Sequence, residues 1–390
     1  FNRQMILGFL LANKFAPTFR NIKMSCDFLS LANNGVQKLS PYQTGKPIDE
    51  LKRELGLDDI VKLASNENPL GCSPLAVEAI KSELTQIGRY PDGNGFNLKY
   101  AIQQKFGFDL NRITLGNGSN DILELVARAF IAEGQSAVCS QHAFAVYPLA
   151  VQAVGGVGIE VPAKNYGPDL QAMAQAITAN TKVVFIANPN NPTGTWFSRA
   201  EFEQFMAQVP EHVIVVLDEA YVEFVTDSGF MNGFDYVNQY PNLLVSRTFS
   251  KAYGLASLRV GYAIAHADIT NIINRVRQPF NVNSFALAAA TAALQDDDFV
   301  AQSCDLNSTG MKQLEQGLTA LGLSFIPSKA NFIAFDVNRP CQPVFQALLQ
   351  QGVIVRPIAN YGMPTYLRVS IGLESENARF LAVLKQVLKD

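Results

Sequence analysis

Short apolar runs separated by helical spacing dominate this chain from residue 70 to 280. Lys182 to Ala187 and Val213 to Leu217 are almost continuously apolar, the pattern of parallel strands buried on both faces. Ile113 to Leu115, Ala137 to Cys139, Leu243 to Arg247 and Val260 to Ala265 predict further strands. Between them Leu75, Ala79, Ile80 and Leu84 recur at helical spacing behind Ser73-Pro74, which places proline in a first turn. Strands alternating with helices predict a mainly parallel, helix-covered α/β sheet. Past Phe285 an alanine-rich helix follows, and then strands near Ser324 to Ile326, Phe332 to Phe335 and Leu367 to Ile371, with helices at about 341 to 351 and 375 to 389. That change predicts a smaller α+β domain over 281–390, after a large domain over 71–280 and an arm over 24–70.

Composition narrows the picture without choosing a chemistry. A chain of 390 residues with 48% hydrophobic positions is long enough for more than one core. A formal charge of −3 gives no basic field for nucleic acid, so an acidic substrate has to be met by local arginines. Five scattered cysteines read as reduced thiols of a cytoplasmic protein, and three dispersed histidines predict no metal site. The first 23 residues carry four basic and no acidic side chains around an apolar run too short to span a membrane. An upstream read-through is preferred there over a targeting peptide, and 1–23 are left out of the fold as a non-native or disordered extension.

Chemistry concentrates where strands end. SRTFSKAYGLASLR, Ser246 to Arg259, places Lys251 among hydroxyls, an arrangement that suits a tethering amine with Thr248, Ser250 and Arg259 around a phosphate. Alone, such a lysine reads as a solvated surface charge. GNGSND at 116–121 follows a strand and opens a helix, so Gly118, Ser119 and Asn120 present backbone amides to an anion; glycines at such a junction also serve merely to turn. Asn188 to Gly194, NPNNPTG, closes one buried strand, and Asp218-Glu219-Ala220-Tyr221 closes the next, at the sheet edge where α/β folds bind ligands. An Asp-Glu pair after a strand also fits a metal-dependent nucleotide hydrolase, but no GxxxxGK[ST] loop is present.

In their order and spacing these motifs, with YLRVSIG at 366–372, resemble the fold-type I aminotransferases that use pyridoxal 5'-phosphate, and most closely the branch acting on histidinol phosphate. The likeness runs from about Leu39 to the C-terminus. It implies a large domain built on a sheet of the seven-stranded type. It further implies that Lys251 tethers the cofactor, Asp218 pairs with its ring nitrogen, and Asn191 and Tyr221 share its phenolic oxygen. Phe144 in QHAFAVYP matches the ring-stacking position, with His142 a competitor for it. Tyr147 is expected to face the substrate, and Asn68 in the NENP turn to lie at the substrate entrance; the bland readings are core aromatics and a polar turn. Arg368 matches the main substrate-anion contact and Arg356 a weaker one. Tyr90, in RYP, matches a tyrosine that reaches the cofactor phosphate of a second subunit, which implies a homodimer with shared active sites. Asn120-Asp121 departs from the family's Asp-Glu pair.

The reaction implied is amino transfer from L-histidinol phosphate to 2-oxoglutarate, with aromatic amino-acid transamination the alternative. Threonine-phosphate decarboxylation and a non-catalytic protein of the same fold are weaker alternatives. A non-catalytic relative is expected to have lost the lysine or gained a DNA-binding segment. Small molecules are the expected partners, with neither nucleic acid nor membrane.

Overall fold

The computed structural model describes residues 27–41 and 45–389. The extension expected over 1–23 lies outside the described residues. A seven-stranded sheet organises the larger part of the molecule. Its order is Ile113–Gly116, Gly261–Ile264, Leu243–Thr248, Ile214–Asp218, Thr181–Ala187, Ser136–Ser140 and Val157–Val161. Gly261–Ile264 runs antiparallel to both of its neighbours, and the other adjacent pairs are parallel. Six of these strands are predicted from the apolar runs. The seventh, Val157–Val161, is a largely exposed edge strand with glycine at its second position, so it shows neither an apolar run nor clean alternation.

Register matters here more than strand number. Ala187 pairs with Asp218 and Asp218 with Ser246, so the central strands end level. The loops that carry Asn191, Tyr221 and Lys251 therefore start from one line at the carboxyl edge. A buried ion pair backs that line. Arg247 donates through Nε (2.9 Å) and Nη2 (2.7 Å) to Glu219 Oε2, with its guanidinium 3.6 Å from the Phe234 ring centroid.

The smaller part is a four-stranded antiparallel sheet, ordered Arg356–Pro357, Tyr366–Ser370, Phe332–Asp336 and Phe325–Ile326. Alternation sorts its faces. Ile333, Phe335, Leu367 and Val369 join Leu314, Leu348, Phe380 and Leu384 in a separate core. Phe332, Arg368 and Ser370 look the other way, towards the larger sheet. The arm reaches this part, with Val61–Lys62 pairing in parallel with Val353–Ile354.

A division at residue 280 does not describe the packing. Ala286, Ala289, Ala290 and Ala293, on the helix Ser284–Ala293, and Leu294 just past its end sit in the core of the large sheet with Ala76 and Leu98. Alanine lets that helix approach closely, and its sequence gives no cue to which core it joins. The 24-residue helix Asp297–Ala320 then carries the chain into the second core.

Removing one partner of a desolvated pair strands the other charge. Arg247→Ala is expected to lose about 3–5 kcal/mol of unfolding free energy in denaturant titration. A loss below about 1 kcal/mol, the value of an exposed pair, would show the Glu219 site to be wetter than it is built.

Candidate active site

One pocket lies between the two sheets and gathers most of the side chains picked out by sequence. Ser119, Asn120, Phe144, Tyr147, Asn191, Asp218, Tyr221, Thr248, Ser250, Lys251, Arg259, Arg356 and Arg368 all line it. Gly118 stands just behind as the N-cap of the helix Ser119–Phe130, with no side-chain cap. Its φ is +82°, and a Cβ there would lie 2.4 Å from Arg259 Nη2. Only glycine lets that guanidinium close over the uncapped amides. Asp121 turns back to accept from the Asn117 N–H (2.8 Å) and Asn281 (2.8 Å), so the Asn120-Asp121 departure leaves the amides of the first turn facing the pocket. Arg259 Nη1 also donates to Ser250 Oγ at 3.3 Å, and Thr248 Oγ1 accepts from the Ser250 N–H at 3.1 Å. Amides, hydroxyls and a guanidinium thus converge as a phosphate cradle, and these residues fit the phosphate of a cofactor.

Lys251 Nζ donates to the Ser65 carbonyl at 2.9 Å and lies 5.8 Å from the Tyr221 ring centroid. The side chain keeps some contact with the pocket while its amine is enclosed. Burial, reinforced by Arg368 and Arg259 against the opposing pull of Glu67, brings its pKa down to about 7. The amine is therefore about half neutral near pH 7 and largely neutral about one unit above it, and the neutral form is the state required of a nucleophile or base.

Asp218 sits at the end of its strand and is buried. Burial raises its pKa to about 6, opposed by hydrogen bonds from the Tyr147 hydroxyl (2.9 Å to Oδ2) and the Ala220 N–H (3.2 Å to Oδ1). It remains a carboxylate at neutral pH. Tyr147 is thus not the substrate-facing residue expected of it. It is fully buried, stacks on Phe185 at 5.2 Å and spends its hydroxyl on Asp218. Its place on the helix Val146–Ala153 turns it inward, and Phe144, before that helix, is left at the pocket wall edge-on to it. His142, the other candidate for the stacking position, is held by its ring to the Tyr361 carbonyl.

Asn68 is likewise placed elsewhere. It donates to the Ala252 carbonyl (2.9 Å) and to Ser303 Oγ (2.8 Å), clamping the turn outside the pocket. Asn66, missed in the sequence, takes the inside position and donates to Tyr221 Oη at 3.0 Å. Two asparagines bracket Glu67, and proline marked the wrong one. Asn66 has a φ of 55°, a left-handed conformation that asparagine tolerates, and this aims its side chain inward. Arg368 donates to Ala64 O (2.8 Å) and to Asn191 Oδ1, so the Asn191 amide nitrogen points the opposite way. Tyr90 is outside the pocket, 82% exposed and stacked on Phe280 at 4.8 Å.

A pocket with a neutralised lysine, a buried carboxylate at a strand end and a phosphate cradle defines a class, and the comparisons agree with it. The family model for aminotransferases of class I and II matches residues 58–384, and the chain belongs to that family. It is 64% identical over 364 residues to histidinol-phosphate aminotransferase 2 of Pseudomonas aeruginosa, covering 93% of this chain and 99% of that one. A relative of the same name from Pasteurella multocida is 56% identical over 361 residues, covering 93% and 99%. In fold it resembles the histidinol-phosphate aminotransferase of Sinorhizobium meliloti solved with pyridoxal 5'-phosphate, with a TM-score of 0.84 and 26% identity over 91% of this chain and 96% of that one. No helix among the described residues is long and apolar enough to cross a membrane.

The depressed lysine carries a stability signature. Between pH 7 and the ordinary lysine range near 10.5 the unfolded chain holds a proton on Lys251 that the folded chain does not. Stability of the cofactor-free protein should therefore rise with pH across that window, by at most about 1.4 kcal/mol per unit from this group. Urea titrations at pH 7, 8 and 9 should show wild type gaining on Lys251→Met. Parallel pH dependences for the two proteins would mean that the amine is charged in its pocket.

Proposed function

We propose that the chain is a pyridoxal 5'-phosphate-dependent aminotransferase that moves the amino group of L-histidinol phosphate to 2-oxoglutarate, giving imidazole acetol phosphate and L-glutamate in histidine biosynthesis. The observation that carries this is Lys251, an amine with a pKa near 7, in one pocket with Asp218, Tyr221 and Arg368. Identity of 64% to a histidinol-phosphate aminotransferase supports the substrate over the aromatic alternative.

Pyridoxal 5'-phosphate, when bound, supplies the electron sink that lets a proton leave the substrate's α-carbon. The chain's own residues do the rest. Gly118, Ser119 and Asn120 offer backbone amides, and Thr248, Ser250 and Arg259 offer side chains, to the phosphate. Asp218, with Tyr147 and the Ala220 amide holding its two oxygens, would pair as a carboxylate with the ring nitrogen. Asn191 and Tyr221 would donate to the phenolic oxygen, and Phe144 would supply an apolar wall to the ring. Lys251 would hold the cofactor's aldehyde end and, as a base, would carry the proton to and from the substrate's α-carbon. Arg368 and Arg356 hold the anions of both substrates, a role for which the planar guanidinium suits carboxylate and phosphate alike.

A homodimer with shared sites belongs to the same reading. Tyr90 is exposed, and so are Leu84, Ile87, Phe96 and Tyr100 close to it in the chain, as residues would be that serve a second subunit.

Purified protein loaded with cofactor is expected to be yellow, and borohydride should fix the label on Lys251; a label on another lysine defeats the assignment. Arg356→Ala should lower kcat/KM for histidinol phosphate by about 1.5–3 kcal/mol, roughly tenfold or more, beyond any loss with phenylalanine. A wild type that prefers phenylalanine or tyrosine would overturn the substrate while leaving the cofactor chemistry in place. Tyr90→Phe should weaken cofactor retention by about 0.5–1.5 kcal/mol, read by dialysis against free cofactor. A fully active monomer at assay concentration contradicts the shared site.

A further inference from the structure

The side chain of Asn66 has its orientation set by the hydrogen bonds around it. Its backbone N–H donates to Ser370 Oγ at 2.8 Å, so that oxygen is an acceptor there, and the Ser370 proton goes to Asn66 Oδ1 at 3.0 Å. With Oδ1 held, Nδ2 points the opposite way and donates to Tyr221 Oη at 3.0 Å. The backbone is pinned as well, because Asn331 Nδ2 donates to the Asn66 carbonyl at 3.0 Å. Asn66 is only 1% exposed, so water does not compete for these bonds. A phenol oxygen that accepts from an amide keeps its own proton for a second partner. Tyr221 lines the pocket, so a ligand seated there is where that proton would go.

We propose that Asn66 is a positioning residue that makes Tyr221 a one-way hydrogen-bond donor into the pocket, with Ser370 setting the polarity of the relay. The inference rests on the functional reading above, in which the phenolic oxygen of the cofactor receives that donor. Ser370 and Arg368 stand two apart on one strand and face the same way. Arg368 orients Asn191 by donating to its Oδ1, and Ser370 orients Tyr221 through Asn66. One strand of the smaller domain therefore aims both donors at the same ligand oxygen. The chain of bonds is Ser370 to Asn66 to Tyr221 on one side and Arg368 to Asn191 on the other.

A donor to the phenolic oxygen draws charge from it and weakens its hold on the proton it shares with the lysine-linked nitrogen. Losing that donor raises the pH at which the proton leaves. Lys251, Asp218, Arg368 and Tyr361 are the charged and titratable groups around the phenol, and none of them changes in the variants.

The test is the absorbance of the cofactor-loaded protein titrated with pH, in wild type, Asn66→Gly, Ser370→Ala and Tyr221→Phe. Glycine accepts the left-handed backbone at position 66 and adds no charge. Ser370→Ala keeps the asparagine and removes the hydroxyl that holds both its side chain and its backbone N–H, so it carries the test if Asn66→Gly fails to fold. Both variants should shift the spectral midpoint upward by roughly 0.5 to 1 pH unit, the size of one neutral hydrogen bond. In the Tyr221→Phe background neither should add a shift. A midpoint that does not move in either variant overturns the inference, as does a shift of equal size without the Tyr221 hydroxyl. A merely structural Asn66 would change thermal stability and leave the midpoint alone. Wild type that takes up no cofactor overturns the functional reading itself, and that result is visible before any variant is compared.

Discussion

The neutral amine of Lys251 is the constraint around which the rest of the site is arranged. A buried lysine is cheap only when uncharged, and Arg368 and Arg259 add to the cost of its proton. Those same guanidiniums line the pocket where anions are to be held. The two demands agree. Before anions arrive, burial first and the positive field second hold the amine's pKa near 7, so a neutral, nucleophilic fraction is present at neutral pH. An anion seated on Arg368 or Arg259 cancels part of that field, and the proton affinity of the amine rises when it has a proton to accept. One arrangement of charge thus serves both states, which explains why the arginines stand near the lysine rather than at the pocket rim.

Polarity in the site comes from the second domain, although the machinery stands mainly on the first. Strand Tyr366–Ser370 alternates between a hydrophobic face, with Leu367 and Val369 in its own core, and a polar one, with Arg368 and Ser370 towards the larger sheet. The polar face grips Ala64 and Asn66 of the arm, and Lys251 grips Ser65 between them. Three consecutive arm residues are therefore bonded to both domains. A segment held in this way keeps the pocket walls in register, and its backbone hydrogen bonds are satisfied by side chains instead of a strand partner.

How much was legible in the sequence follows from which forces act locally. Buried parallel strands announce themselves as apolar runs, and residues just past their ends have little choice of position, so Asp218, Tyr221, Asn191 and Lys251 were found and meet in one pocket. Orientation is another matter. Tyr147 was read as facing substrate, yet one turn of helix carries it under Asp218. Asn66 and Asn68 have the same chemistry two positions apart, and only the left-handed backbone at Asn66 decides which enters. The core joined by the helix Ser284–Ala293 was hidden because alanine packs as readily against one sheet as another. The edge strand Val157–Val161 was hidden because an exposed strand needs no apolar signature.

Charge economy explains a final feature. The chain is slightly acidic, with a formal net charge of −3, yet its pocket carries Lys251, Arg259, Arg356 and Arg368 against Asp218 and Glu67. Glu67 is itself paired with Lys62 at 2.9 Å. Beyond a Debye length of about 8 Å at physiological ionic strength the pocket's charge is largely screened, so a distant anion meets a surface with no strong pull. Inside the cleft, low-dielectric walls concentrate the field of three guanidiniums. Under the proposed function, selectivity for doubly charged phosphate esters would then arise from contact and not from long-range steering. It depends on how many guanidinium donors one substrate can engage at once, and a substrate with a single carboxylate leaves some of them without a ligand.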